Sequence, residues 1–213
     1  MALLDDLHRS VMEGDARFAQ ELVRQALSAG EPAERILNEG FISAMAEVGR
    51  LFECGEFYVP EMLIAARAMK AGLELLRPSL AAANVRARGK VVIGTVQGDL
   101  HDIGKNLVAM MLQGAGFDVI DLGSDVSPQQ FAEAVREHAP DLVGCSALLT
   151  TTMPRIEATV QMLKEAGLRE RVKVMVGGAP VTEKYAAAIG ADFYAPDAAS
   201  AATRARQAMA PDE

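Results

Sequence analysis

The sequence predicts an α/β chain in two parts: an N-terminal helical bundle, then a doubly wound, parallel, five-stranded sheet. Three observations carry this. Up to about residue 76 the apolar residues recur only at helical spacing, from Lys90 onward short β-branched runs alternate with helical stretches, and glycine or proline punctuates the breaks. With 213 residues and 50% hydrophobic content, the chain can bury a sizeable core.

In the first part, breaks at Gly14-Asp15, Gly30-Glu31-Pro32 and Gly55-Glu56 divide the sequence into about four helices, and Val59-Pro60-Glu61 fits a helix start with proline in the first turn. Residues 77–89, rich in Ala and Arg, read as a linker with some helical character. In the second part the strands are 91–96, 118–122, 142–145, 172–176 and 192–194. Helices follow them at about 105–113, 128–138, 154–166, 182–189 and 198–209. Gly114 and Gly116 stop the first of these, and Ser127-Pro128-Gln129-Gln130 makes a capping box that starts the second. Five such units imply a parallel sheet with right-handed crossovers; among doubly wound orders, the flavodoxin-like (Rossmann-like) 2-1-3-4-5 is expected, with strands one and three adjacent at the point where the winding reverses.

Composition excludes several classes. A net charge of minus 8 argues against a nucleic-acid surface, which needs clustered Lys and Arg. No run approaches the about 20 apolar residues that span a bilayer, so no membrane partner is expected. The opening Met1-Ala-Leu-Leu-Asp-Asp is too acidic for a secretion signal, and a cytoplasmic location is expected. Cys54 and Cys145 are far apart in apolar contexts and read as reduced core thiols, not metal ligands.

The stretch Gly98-Asp99-Leu100-His101-Asp102-Ile103-Gly104 puts one imidazole between carboxylates in a strand-to-helix loop. In open α/β sheets, ligands collect at the carboxyl ends of strands. The loop after strand three is Ser146-Ala147-Leu148-Leu149-Thr150-Thr151-Thr152, a run of hydroxyls. The loop after strand four is Gly177-Gly178-Ala179-Pro180, where missing side chains let a ligand approach the backbone. Each has a plainer alternative. His101 with Asp99 fits a structural pair, the hydroxyls fit a cap for the helix near Pro154, and the glycines fit a turn. His8 and His138 lie on amphipathic helical segments and read as structural. Gly94, Gly98 and Gly104 match neither the dinucleotide fingerprint nor the P-loop, and a Ser146-His101-Asp99 hydrolase set lacks a nucleophile elbow.

Residues 98–106, with Ser146-Ala147-Leu148 and Gly177-Gly178, resemble the Asp-x-His-x-x-Gly, Ser-x-Leu, Gly-Gly signature of cobalamin-binding domains. The stretch from Met45 to Pro60 resembles the helical cap that precedes that domain in cobalamin-dependent methionine synthase and in the corrinoid proteins of methylamine, methanol and methoxyl-compound methyltransferase systems. The resemblance implies a cap domain with its linker over 1–88, the linker serving as hinge, and a cobalamin-binding domain over 89–213. It makes His101 the lower axial ligand of cobalt in place of the cofactor's own dimethylbenzimidazole, with Asp99 holding the other ring nitrogen and Thr152 completing the relay.

The same resemblance puts Gly98, Leu100, Asp102, Ile103 and Gly104 in the cofactor-binding loop. Ser146 and Thr150 would hydrogen-bond the displaced base and nucleotide tail, with Leu148 packed beside it. Gly177 and Gly178 would line the slot for the tail, Ala198 would close its far end, and Phe52 and Val59 would shield the upper face. The implied cofactor is cobalamin, as methylcobalamin or a related corrinoid. The implied function is methyl carriage by a subunit that is not a complete enzyme. Its partners would be a donor-specific methyltransferase, an acceptor methyltransferase using folate or a thiol, and a reductive activase. The competing class is an adenosylcobalamin-binding mutase small subunit or a cobalamin sensor.

Overall fold

Regular apolar stripes in the first 80 or so residues become helices in the computed structural model, which describes residues 2–209. The contacts divide the chain into two compact units, one running to Arg86 and including Gly114–Gly116, the other holding Ala87–Gln113 and everything from Phe117 onward.

In the first unit, α1 (Ala2–Met12) buries Leu4, Leu7 and Val11. Helix α2 (Ala16–Ser28) buries Ala19, Leu22, Val23 and Ala26, and Asp15 caps it by accepting from the Phe18 N–H at 2.9 Å. A short α3 (Ala33–Arg35) runs without a break through a π-helical stretch, Ile36–Ile42, into α4 (Ser43–Glu53). Helix α5 (Val59–Ala82) has Pro60 in its first turn. It crosses closely over the π-helical stretch, because a Cβ on Gly72 would lie 2.5 Å from Cζ of the fully buried Phe41. The helical character expected in the linker belongs to its first part: helix α5 continues past Pro78 to Ala82, and residues 83–89 connect α5 to the first strand. Pro78 costs one backbone bond, that of the Glu74 carbonyl, but Glu74 is exposed and the Leu80-Ala81-Ala82 stretch favours helix strongly. One expectation is corrected here: Cys54, expected in the core, follows α4 and is exposed, whereas Cys145 is buried. His8 sits at 3.0 Å from the Ser43 hydroxyl, a link between α1 and α4.

In the second unit the strands are β1 (Lys90–Thr95), β2 (Asp118–Asp121), β3 (Leu142–Ser146), β4 (Lys173–Gly177) and β5 (Phe193–Ala195). All are parallel, in the order β2-β1-β3-β4-β5. Central strands β1, β3 and β4 read as unbroken apolar runs because both faces of a parallel sheet are covered. Against one face pack α7 (Pro128–His138) and α8 (Met153–Glu165), burying Phe131, Ile156, Val160 and Leu163 on Val92, Val143 and Val174. The capping box expected at Ser127 is present, with Ser127 accepting from the Gln130 N–H and Gln130 accepting from the Ser127 N–H. The remaining helices are α6 (Ile103–Gly114), α9 (Glu183–Ile189) and α10 (Ala198–Ala208). Among the described residues no helix is long and apolar enough to cross a membrane.

Register positions the functional loops. Thr95 pairs with Ser146, and Ser146 with Gly177, so β1, β3 and β4 end side by side at one edge. The loops carrying His101, the hydroxyl run and the glycine pair therefore start from adjacent points.

Candidate functional site

The β1–α6 loop opens with a tight turn in which the Asp99 N–H donates to the Val96 carbonyl at 3.1 Å, with Gly98 at φ +82. That turn sends the Asp99 side chain inward, where it is fully buried. Its Oδ1 accepts from Nδ1 of His101 at 2.7 Å and from the His101 backbone N–H at 3.1 Å. Its Oδ2 accepts from the Leu148 N–H at 2.8 Å, the Leu149 N–H at 3.3 Å and the Thr152 hydroxyl at 2.7 Å. A buried carboxylate needs such a set of donors. Burial by itself would raise its pKa, but the donors from Thr152, His101 and Leu148 outweigh burial and hold it well below the usual carboxylate range. Asp99 is therefore ionised at neutral pH, which puts the imidazole proton on Nδ1 and leaves the Nε2 lone pair free. The imidazole is 52% exposed.

Thr152 stands where the sequence left two readings open. It precedes α8, yet its side chain makes no capping bond; the hydroxyl instead meets Asp99. Replacing Thr152 with Val keeps the shape but removes one donor from a buried charge, an expected loss of about 1–3 kcal/mol. Asp99 ionised stabilises the fold at pH values above its unfolded value of about 4, and that contribution is lost as pH falls through its depressed folded value. With one donor fewer the folded value is less depressed, so Thr152→Val protein should begin acid unfolding at higher pH than wild type. Circular dichroism during acid titration measures this, and coincident curves would contradict it.

Beside His101 opens a cleft of about 560 Å³, lined from the sheet by Ile93, Gly144 and Met175, which are register neighbours, and from the helices by Val108 and Ala201. His101, Leu100, Asp102, Ile103, Gly104, Ser146, Leu148, Gly177 and Gly178 also line it. Gly178, at φ +119, cannot carry a side chain: its Cβ would lie 1.9 Å from the Ala147 carbonyl oxygen. The glycine pair thus both lines the cleft and lets the β3 and β4 loops close on each other. Around the imidazole, large apolar side chains face outward, with Leu100 73% and Ile103 78% exposed. Such a cluster marks a surface made to be covered.

Other expected site residues lie elsewhere. Gly98 and Asp99 shape the loop from beneath and do not line the cleft. Thr150, expected on the tail, is exposed on the turn before α8 and outside the lining. Ala198 is buried in the first turn of α10, while its neighbours Asp197 and Ala201 reach the cleft. Phe52, half-buried in the last turn of α4, and Val59, 39% exposed at the start of α5, belong to the helical unit.

The structure also brings to the cleft residues that the sequence reading did not place there. Lys105 is almost wholly buried, its ammonium 2.6 Å from Asp121 Oδ1 and 2.6 Å from Asn106 Oδ1. It is a cleft cation already neutralised by the end of β2. The only signal was a lysine in an otherwise apolar helical run. Cys145 also borders the cleft, while its thiol is buried, which pushes its pKa up to about 12, so it stays protonated and inert.

Comparison with known proteins fits this geometry. A B12 binding domain family matches residues 89–203, more than half of the chain, and a second B12 binding domain family matches residues 3–77. The chain belongs to the B12-binding family. This B12-binding protein is 46% identical over 202 residues to trimethylamine corrinoid protein 2 of Methanosarcina acetivorans, covering 94% of this chain and 93% of that one. It is 43% identical over 212 residues to dimethylamine corrinoid protein 3 of the same organism, covering 98% and 100%. Among solved structures, a chain of the methanol:cobalamin methyltransferase complex from Methanosarcina barkeri matches with TM-score 0.89 and 29% identity, over 99% of this chain and 81% of that one. A cobalamin-binding protein from Desulfitobacterium hafniense matches with TM-score 0.81 and 32% identity, over 96% and 98%. A corrinoid is thus the cofactor of this B12-binding protein, which is similar to corrinoid proteins of methyltransferase systems. The residues present fit such a group: one imidazole with a free, outward lone pair, an apolar rim beside it, and a cleft at the switch point of the sheet.

Proposed function

We propose that this protein is a methyl carrier that holds its corrinoid through His101 and passes a methyl group between two partner methyltransferases. The observation that carries it is the imidazole itself, with Nδ1 fixed on a buried carboxylate and Nε2 open beside an apolar-rimmed cleft. Bound there, the corrinoid supplies a cobalt able to accept and release a methyl group. Everything else falls to the chain. Asp99 fixes the ring's tautomer and orientation, leaving the Nε2 lone pair for a metal. Leu100, Ile103 and Leu148 cover apolar surface of the ring system and exclude water. Ser146 and the Gly177-Gly178 backbone receive the displaced nucleotide tail in the cleft. His101 would hold the group through Nε2, with Asp99 keeping Nδ1 in place.

The names of the curated relatives direct the donor towards methylated amines, delivered by a donor-specific methyltransferase, with a folate- or thiol-directed methyltransferase as acceptor and a reductive activase to restore the reduced cofactor. The complex named for methanol:cobalamin methyltransferase supports a methyltransferase as physical partner. The free thiols of Cys54 and Cys145 suit the reducing cytoplasm.

Two measurements test the proposal. Protein labelled with 15N-histidine and loaded with cob(II)alamin should show the axial nitrogen as a doublet in its electron paramagnetic resonance spectrum. A triplet would mean the cofactor keeps its own base, and would end the histidine reading. The loaded and reduced protein should also take up a methyl group from iodomethane and surrender it to a thiol methyltransferase; failure of uptake would end the carrier reading.

A further inference from the structure

The loop that carries His101 is held by two side chains outside its own motif. Thr95, the last residue of β1, is fully buried, and its hydroxyl donates to the backbone carbonyl of His101 at 3.0 Å. Asp125, in the loop between β2 and α7, accepts from the Gly98 N–H through Oδ1 at 2.7 Å, and its own N–H donates to the Asp99 carbonyl at 3.0 Å. The Thr95 N–H donates to the Gly123 carbonyl at 2.9 Å, the Val126 N–H donates to the Thr95 carbonyl at 2.9 Å, and Val96 pairs with Val126. Asp125 takes φ +59 to make both contacts, a left-handed conformation that Asp tolerates better than most residues.

Three successive backbone groups of the loop, the Gly98 N–H and the Asp99 and His101 carbonyls, are thus tied to fixed points on β1 and on the β2–α7 loop. The carboxylate of Asp99, itself held by Leu148, Leu149 and Thr152, sets which way the ring turns and meets the His101 backbone only at its N–H. The height of the ring above the sheet edge also depends on the other end of that residue, the His101 carbonyl, and Thr95 is its anchor. A metal ligand displaced by a fraction of an ångström binds poorly whatever its tautomer.

We propose that Thr95 and Asp125 are positioning residues for the histidine ligand, a two-point clamp that fixes the height of the His101 ring above the sheet edge. The proposal rests on the histidine reading above. It separates the work of orienting the ring, done by Asp99 and Thr152, from the work of placing it. The β2–α7 loop thereby becomes part of the cofactor site although it contributes nothing to the cleft lining.

The test uses the full chain, labelled with 15N-histidine and loaded with cob(II)alamin. Thr95→Val keeps shape and burial but removes the donor. Asp125→Gly removes the acceptor while a glycine takes the positive φ without strain, so this exposed position should fold even if Thr95→Val does not. In both, histidine ligation should weaken about tenfold, as loss of outer partners of metal ligands commonly does, and the doublet should lose amplitude accordingly. Thr95→Ser and Asp125→Asn, which keep donor and acceptor, should restore it. A merely structural role would lower the denaturation midpoint and leave the spectrum of the folded protein unchanged.

A wild-type doublet accompanied by full doublets in Asp125→Gly and in any folded Thr95→Val would overturn the clamp alone. Loss of signal in Asp125→Asn as large as in Asp125→Gly would also overturn it. A triplet from wild-type protein would overturn the histidine reading and the clamp with it.

Discussion

Replacing His101 with Ala should abolish the axial 15N doublet and weaken corrinoid binding by at least the about tenfold to hundredfold seen when only an outer partner of a ligand is lost. The chain has three histidines, so uniform histidine labelling does not by itself say which one ligates, and this substitution does. His8 is bonded to Ser43 in the helical unit and His138 ends α7, which leaves His101 as the imidazole beside the cleft. The apo fold should survive the change. Asp99 keeps the Thr152 hydroxyl and the Leu148, Leu149 and residue-101 backbone N–H groups, so its charge stays solvated by the protein. The expected cost to stability is about 1–3 kcal/mol for the one lost donor. Binding and stability should thus separate: a large loss of affinity with a modest shift in unfolding. A doublet that persists in His101→Ala protein would place the ligand elsewhere and remove the basis of the proposed function.

Gly178→Ala should produce the largest loss of stability from a single added methyl group. The new Cβ would meet the Ala147 carbonyl oxygen at 1.9 Å and its carbon at 2.8 Å, both backbone atoms that cannot swing aside as a side chain would. The residue also sits at φ +119, where an L side chain is strained even in open space. Relief requires the β3 and β4 loops to part, which breaks the bond from the Ala147 N–H to the Gly177 carbonyl at 3.2 Å and disturbs the loop that places Leu148 on Asp99. Strain and lost contacts together should cost about 3 kcal/mol or more. Urea unfolding of apo-protein should show a lower midpoint for the α/β unit. A variant within about 1 kcal/mol of wild type would mean that the two loops are not held together as described.

The difference between these two sites shows what could be read in advance. His101 stood out because an imidazole flanked by carboxylates, at the end of a β-branched run, is chemically conspicuous in one dimension. Gly178 was visible only as a glycine pair with two readings, a ligand approach or a turn. What decides it is a carbonyl at Ala147, 31 positions away in the chain, and no local pattern can announce such a neighbour. Thr152 behaves the same way: before a helix start its hydroxyl reads equally as a cap, and only the approach of Asp99 shows where it donates. Cys54 went astray for a related reason, since an apolar neighbourhood in sequence does not ensure burial.

The sequence by itself determined the alternation of helices with parallel strands and the strand ends that carry the His101, Ser146 and Gly177 loops, because these follow from local spacing and the handedness of crossovers, which leave few doubly wound orders besides the 2-1-3-4-5 observed. Tertiary structure alone decided which donors hold the buried Asp99 carboxylate, that Thr150 and Ala198 miss the cleft while Lys105 reaches it neutralised by Asp121, and that Thr95 and Asp125 grip the histidine loop. The physical reason is range. Spacing and chirality act within a few residues, whereas the pairing of a buried charge or polar group is fixed by whichever partner the closed fold brings within about 3 Å.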